Sequence, residues 1–258
     1  MPDLETISAF PAFDLSVVAP ALNEAGNVSP LVRQIDHAFR DAGQRVQIIV
    51  VDDGSTDGTA TELAALRSEF PHLLTPRHDT PRGQSAALHT GIRAADARLI
   101  CTLDADLQND PADLPRMVEM LDEHAADLVQ GDRSANRRDH ALRKAAARVG
   151  RLARKVIVGD GVRDTGCATR ALTAEMARRL PLDHPGMHRF IPACVAGFGG
   201  TVIETPVNHR PRGQGKTKYG TGLLKRGLPG LRDCFVVRAM IRERRRTDRG
   251  QRPVAVSA

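Results

Sequence analysis

The sequence predicts an α/β domain, doubly wound around a mostly parallel sheet. Short, continuous apolar runs recur along the first half of the chain, helical patterns of about 10 to 15 residues separate them, and acidic residues follow three of the runs. A strand covered by helices on both faces reads as an unbroken apolar run, so this rhythm belongs to a buried parallel sheet.

The elements follow in order. Leu15 to Ala19 is the first strand, and a helix from Val28 to Ala42 repeats its apolar residues at spacings of three and four. Gln47 to Val51 is the second strand, with a helix from Asp57 to Glu69 after it and Ser55 or Thr56 as its N-cap. Leu73 to Arg77 is a weaker strand, Gln84 to Ala95 a helix, Leu99 to Leu103 a strand, Pro111 to His124 a helix and Leu128 to Gln130 a strand. After Asp132 the rhythm changes. A long basic helical pattern, Ala141 to Val158, leads into Gly161-Val162-Arg163-Asp164-Thr165-Gly166-Cys167. A further helix is expected near Thr173 to Arg179, Val195 to Gly200 is small and turn-rich, Thr201 to Val207 is strand-like, and His209 to Gly222 is a loop rich in Gly, Arg and Lys.

Composition narrows the classes of function. The chain has 258 residues, 41% of them hydrophobic, enough for one large domain with an appended tail. With no Trp, one Tyr and seven Phe, it lacks the aromatic platforms on which carbohydrate modules and single-strand binders stack their ligands. Cys101, Cys167, Cys194 and Cys234 are widely spaced and form no Cys-x-x-Cys pair, which fits reduced, cytosolic thiols rather than a zinc site. Pro185 and Gly186 interrupt the helical spacing that His184 and His188 would need to bind zinc as a pair. The N-terminus has neither a basic start nor an apolar segment of the signal-peptide kind, and no apolar run reaches the roughly 20 residues of a membrane span. A cytoplasmic location is expected. The net charge of +6 is concentrated at one end: Lys225 to Arg252 holds ten Lys or Arg against three Asp or Glu, net +7, which leaves the rest of the chain near −1. A nearly neutral body argues against a general nucleic-acid binder and for a localised anionic contact.

The stretch with the most chemical content is Leu103-Asp104-Ala105-Asp106, two carboxylates one residue apart at the end of an apolar run. Ligands of open α/β sheets sit beyond the carboxyl ends of the strands, and hard divalent cations take oxygen ligands from one or two carboxylates plus phosphates. Pro20-Ala21-Leu22-Asn23-Glu24 follows the first strand and Val51-Asp52-Asp53-Gly54-Ser55-Thr56-Asp57 the second, so acids are expected on the same rim from three strands.

These segments, with Arg82-Gly83-Gln84-Ser85-Ala86-Ala87-Leu88, Gly91 and Leu107-Gln108-Asn109-Asp110-Pro111, resemble the family 2 glycosyltransferases in order from about residue 14 to 220. The likeness is to the dolichyl- or polyprenyl-phosphate sugar synthase branch, of the dolichyl-phosphate mannose synthase type. The resemblance implies a GT-A fold and inverting transfer of a sugar from a nucleotide-sugar donor to a polyprenyl phosphate, with Mg²⁺ or Mn²⁺ as cofactor. It implies that Pro20, Leu22, Glu24, Val51 and Asp53 hold the nucleoside and that Asp104, Ala105 and Asp106 line the donor diphosphate. By the same likeness Asp104, Asp106 and Gln108 are metal ligands, and Arg133, Arg143, Arg212 and Lys218 contact phosphates. Thr217 stands where the family's Arg-x-x-Gly-x-Ser-Lys element has Ser, and it keeps the hydroxyl.

The chemistry agrees with these residue types. Displacing a nucleoside diphosphate builds negative charge on the leaving phosphate, which a cation and arginines stabilise where it develops. A lipid phosphate is already anionic and needs no general base. An alcohol acceptor needs one, and Asp164 is the candidate, so transfer to a soluble or glycolipid hydroxyl remains the alternative. A catalytically silent nucleotide-sugar-binding regulator is the third reading, against which Asp104, Asp106 and Arg133 are all present. Processive relatives carry Gln-x-x-Arg-Trp, and this chain has no Trp. Gly215-Lys216-Thr217 resembles the end of a P-loop, but the glycine needed five residues earlier is Arg210.

Beyond residue 220 the expectation is a basic amphipathic helix and a flexible tail, separate from the domain of residues 1–220. Leu224, Leu228, Leu231, Phe235, Val236, Ala239 and Met240 recur at helical spacing among basic residues, with a break expected near Pro229-Gly230. Together with the face Leu142, Ala145, Val149, Leu152 and Val156, this predicts a peripheral enzyme at an anionic inner membrane surface. The oligomeric state stays open, a homo-oligomer included.

Overall fold

The computed structural model describes residues 13–134, 152, 154–159, 161–211 and 223–250, with side chains of the last segment from 233 to 247. Seven strands form one sheet in the order β3-β2-β1-β4-β6-β5-β7. They are β1 (Leu15–Ala21), β2 (Val46–Asp52), β3 (Leu73–Leu74), β4 (Leu99–Thr102), β5 (Leu128–Asp132), β6 (Arg170–Thr173) and β7 (Val202–Pro206). β1 pairs in parallel with β2 and β4, β2 with β3, and β5 with β7. β6 lies between β4 and β5 and is antiparallel to both, so the other six strands share one direction. The helices are α1 (Val28–Asp41), α2 (Thr59–Glu69), α3 (Gln84–Ala94), α4 (Leu114–Glu123), α5 (Ala174–Arg179), α6 (Ile191–Gly197) and α7 (Leu223–Gly250).

Successive strand residues feed opposite faces of the sheet, as the pleat dictates. Val17, Ile48 and Cys101 join a core with Leu31, Ile35 and Phe39 of α1 and Met117 and Leu121 of α4. Val18, Ile49 and Ile100 join the other core, with Leu88 and Ile92 of α3, Met176 of α5 and Ile191 of α6. All seven residues of β2 are buried, which is why it reads as an unbroken apolar run. α3 lies close against the sheet at Gly91, where a Cβ would stand 2.3 Å from Val18 Cγ1. That contact fixes the height of α3, whose N-terminus then reaches the rim where the parallel strands end.

Several elements differ from their sequence reading. The third strand is only Leu73–Leu74, extended by a single bridge from Asp52 to Arg77. Residues 170–173 form a strand within what reads as a lead-in to a helix, and Thr173 caps α5 by accepting the Met176 N–H. Ile191–Gly197 is helical and takes in Val195 to Gly197, the first half of the segment Val195 to Gly200 that reads as small and turn-rich. α7 runs without the expected break at Pro229-Gly230. Pro removes one internal hydrogen bond, a loss a 28-residue helix absorbs when packing holds its distal half. Here Cys234, Val237 and Ile241 are buried in the second core. Of the long basic pattern expected at 141–158, residues 154–158 are helical, and 141–151 lie outside the described residues.

Candidate active site

The rim begins with a clasp between the segments after β1 and β2. Asn23 N–H donates to Ser55 Oγ at 2.8 Å, and Thr56 N–H donates to Asn23 Oδ1 at 2.8 Å. Ser55 and Thr56 are therefore spent on the neighbouring strand's loop rather than on capping α2, whose N-cap is Gly58 without a side-chain bond. Asp57 does the local work, accepting from Thr59 N–H at 2.9 Å. Glu24 is buried; its N–H donates to Thr59 Oγ1 and its carboxylate accepts from Asn27 Nδ2 at 2.7 Å. Pro20 and Leu22 flank it, half-buried.

Asp53 is buried under the next loop. Its carboxylate accepts the backbone N–H groups of Arg82 and Gly83, each at 2.8 Å, and its Oδ1 lies 2.7 Å from His78 Nδ1. His78 Nε2 in turn lies 2.9 Å from Thr90 Oγ1 on α3. Asp53 and His78 thus hold the 78–83 loop against α3. Val51, beside them, is fully buried in the second core. Gly54 permits the tight passage: its φ is +77°, and a Cβ would meet Thr80 C at 2.6 Å.

β4 delivers the acidic pair. Asp104 Oδ1 accepts from Gln84 Nε2 at 2.7 Å, tying the pair to the first residue of α3. Ala105 between them is buried in the first core, 3% exposed. Asp106 Oδ1 accepts from Gln108 N–H at 3.1 Å across Leu107, whose φ is +63°. The segment after β7 braces this turn: Arg210 N–H donates to Gln108 O at 2.8 Å, Asn208 N–H to Asp113 at 2.7 Å, and Arg210 pairs with Asp110 at 2.6 Å. Among the described residues no group of three or more His, Cys, Asp or Glu side chains is arranged to hold a metal ion; the Asp104 and Asp106 carboxylates are oxygen donors of the kind that a hard divalent cation takes together with phosphate and water.

β5 ends on the same rim with Arg133 after it. Arg133 grips Asp164 in a fork, Nε to Oδ2 at 2.8 Å and Nη2 to Oδ1 at 3.2 Å, both side chains almost buried. Burial works against the Arg133 charge, but the Asp164 bonds and nearby negative groups, Asp104 among them, outweigh it and raise its pKa. The antiparallel course of β6 is decisive here. A parallel strand would start at the opposite edge of the sheet, whereas β6 starts at this rim and brings Asp164 and Arg170 with it. Arg170 is 2% exposed, and burial lowers its pKa.

Close by, Ser85 Oγ accepts the His188 N–H at 3.1 Å and lies 2.9 Å from His188 Nδ1. Burial, followed by the charges of Arg170 and Arg189, pushes the His188 pKa down to about 3 and keeps the ring neutral. All four cysteines are buried and none is in a disulfide.

The fold therefore gathers Pro20, Leu22, Glu24, Val51, Asp53, Asp104, Asp106, Gln108, Arg133 and Asp164 along one rim, while Arg143, Arg212 and Lys218 lie outside the described residues. Sequence reasoning missed His78, Gln84, Gln130, Arg170 and His188 as parts of it. The one signal available for Arg170 was a lone charge among Cys167-Ala168-Thr169 and Ala171-Leu172.

Residues 16–183 match the family described as Glycosyl transferase family 2. The chain is 38% identical over 213 residues to a dodecaprenyl-phosphate galacturonate synthase of Rhizobium johnstonii, covering 81% of this chain and 62% of that protein. It is 35% identical over 211 residues to an undecaprenyl-phosphate 4-deoxy-4-formamido-L-arabinose transferase of Klebsiella pneumoniae, covering 81% of this chain and 63% of that protein. The chain thus spans less than two thirds of either relative. Among solved structures, glucosyl-3-phosphoglycerate synthase from Mycobacterium tuberculosis with Mg²⁺ and UDP superposes with a TM-score of 0.65 at 21% identity, covering 88% of this chain and 80% of that one. A mannosyltransferase from Pyrobaculum calidifontis with GDP-Man and Mn²⁺ gives 0.55 at 21% identity, covering 77% and 56%. These two likenesses establish the fold.

Proposed function

Because the chain belongs to glycosyl transferase family 2, we propose that it transfers a sugar, with inversion, from a nucleotide-sugar to a polyprenyl phosphate at a membrane face. The two relatives named above act on dodecaprenyl and undecaprenyl phosphates, which supports the lipid acceptor. The observation that carries it is the Arg133–Asp164 fork. A carboxylate with both oxygens engaged by one arginine would have to give up that pair to accept a proton, so it is a poor general base. An acceptor phosphate is anionic already and needs no base. Asp164 then serves by holding Arg133, and Arg133 faces the phosphates.

In this reading Pro20, Leu22, Glu24 and Val51 shape the nucleoside end of the rim, and Asp53 shapes it through the 78–83 loop. Asp104 and Asp106, with Gln108 beside them, would hold a divalent cation, which would supply charge neutralisation to the donor diphosphate. Gln84 orients Asp104 through its 2.7 Å bond. A phosphate oxygen of the acceptor attacks the anomeric carbon, and the carbon–oxygen bond to the diphosphate breaks with its electron pair leaving on the β-phosphate. Arg133 stabilises that charge as it develops, and the family likeness adds Arg143, Arg212 and Lys218 to the phosphate contacts.

The test is a donor-by-acceptor screen that follows nucleoside diphosphate release, with and without undecaprenyl phosphate and with and without EDTA. Release that depends on both the lipid phosphate and a divalent cation is expected. Turnover with a glycolipid alcohol but not with the lipid phosphate would overturn the acceptor assignment. Asp106→Asn should cut transfer by at least about 100-fold, the scale of a lost transition-state electrostatic contact, with an unchanged melting temperature. Normal turnover of that variant would remove Asp106 from the site.

A further inference from the structure

Beneath the Arg133–Asp164 fork lies a buried polar pair that the proposed chemistry does not use. Gln130 on β5 is fully buried and Arg170, opposite it on β6, is 2% exposed. Arg170 Nε donates to Gln130 Oε1 at 2.8 Å, and its Nη2 donates to the Thr165 carbonyl at 3.1 Å. Gln130 Nε2 faces three carbonyls, those of Cys167 at 3.0 Å and of Gly131 and Asp164 at 3.2 Å. No carboxylate among the described residues forms an ion pair with Arg170, whose hydrogen-bond partners are all neutral.

The charges of Asp104 and Asp164 favour the Arg170 guanidinium, but burial outweighs them and lowers its pKa, so keeping an arginine there is costly. What the guanidinium offers in return is a rigid fork of donors at right angles to the strand, able to hold a side chain and a backbone carbonyl at once. Both targets bear on the turn 164–167, Thr165 from within it and Gln130 from β5. Thr165 is gripped by Arg170 directly, and Asp164 and Cys167 through Gln130, while Asp164 O accepts the Cys167 N–H at 3.2 Å. This turn carries the carboxylate that fixes Arg133.

We propose that Arg170 is a positioning residue: with Gln130 it fastens the 164–167 turn so that Asp164 holds Arg133 toward the phosphates. The inference rests on the phosphate-facing role given to Arg133 above. It assigns no contact with substrate to Arg170 itself.

A double-mutant cycle separates positioning from general support of the fold. Arg170→Met keeps length and removes every donor, Arg133→Met removes the group acted upon, and the full chain is assayed with undecaprenyl phosphate and the donor that turns over in the screen. Arg133→Met should lower kcat by about 100-fold. Arg170→Met should lower it by about 10-fold or more while KM for the donor stays within about twofold, because the β1, β2 and β4 ends of the rim are untouched. In the Arg133→Met background, adding Arg170→Met should cost less than about threefold. A merely structural role would multiply the two losses, since a smaller folded fraction lowers the rate whatever stands at 133, and that result overturns the inference alone. An unimpaired Arg133→Met would overturn both the phosphate role and the inference built on it. If Arg170→Met does not melt cooperatively, Arg170→Lys, which keeps the charge and one donor direction, enters the same cycle under the same criterion.

Discussion

His188 illustrates how one side chain's state follows from its surroundings. Its Nδ1 lies 2.9 Å from the Ser85 hydroxyl, and burial beside Arg170 and Arg189 disfavours a third positive charge. The folded pKa of about 3 lies below the ordinary 6.5, so the unfolded chain binds more protons between those values. Stability from the neutral ring is therefore complete above pH 6.5 and declines as pH falls toward 3. Urea unfolding from pH 6.5 down to 5, before carboxylates titrate, should show stability falling by up to about 1.4 kcal/mol per pH unit. His188→Asn, which keeps an acceptor near Ser85 and cannot charge, should flatten that slope. An equal slope in the variant would mean that His188 is not the group responsible.

At the scale of elements, the chain's ends of strands matter more than the strands themselves. β1, β2 and β4 were legible because each is a buried parallel run, and parallel strands necessarily present the residues that follow them on one rim. β6 was not legible. It has four residues, begins with a charged side chain and gains its pairing only from β4 and β5, which lie 68 and 38 positions upstream at Thr102 and Asp132. α7 shows the same dependence in reverse. Of the stripe that the sequence suggests, Phe235, Val236 and Ala239 are exposed, and the residues packing buries are Cys234, Val237 and Ile241, which lie outside that stripe. Ile241 sits against Gly197 of α6, where a Cβ would come within 2.6 Å of it. Ile241→Ala should cost about 2–4 kcal/mol in thermal or urea unfolding. A loss under about 0.5 kcal/mol would show that α7 contributes nothing to the core.

For the whole molecule, charge and shape are separate matters. The net +6 of the chain arises from the C-terminal region, and in α7 Arg242, Arg244 and Arg246 are exposed on the part that continues past the docked residues. Among the described residues no helix is long and apolar enough to cross a membrane. In the proposed reading the lipid acceptor is met at a membrane surface, and Leu152 and Val156 add exposed apolar groups to the candidates for that contact. Because α7 packs on α6, deleting it would uncover core, and substitution is the cleaner probe. Replacing Arg242, Arg244 and Arg246 with Gln should weaken sedimentation with anionic vesicles by about 1 kcal/mol per residue and leave binding to neutral vesicles unchanged. Equal pelleting of variant and parent would remove this helix from the membrane contact.

The sequence by itself determined the doubly wound sheet and the acids at its strand ends, because burial on both faces, helical periodicity and strand direction are local or follow from one another. It also located the Asp104–Asp106 pair and named Arg133 and Asp164 separately. Only the tertiary structure decided that those last two grip each other, that Asp53 is spent on the 78–83 loop, and that Gln130 and Arg170 hold the turn between them. The physical reason is that a side chain's hydrogen-bond partner is chosen by which strands become neighbours. One four-residue strand running against the other six set that choice for the arginine end of the rim.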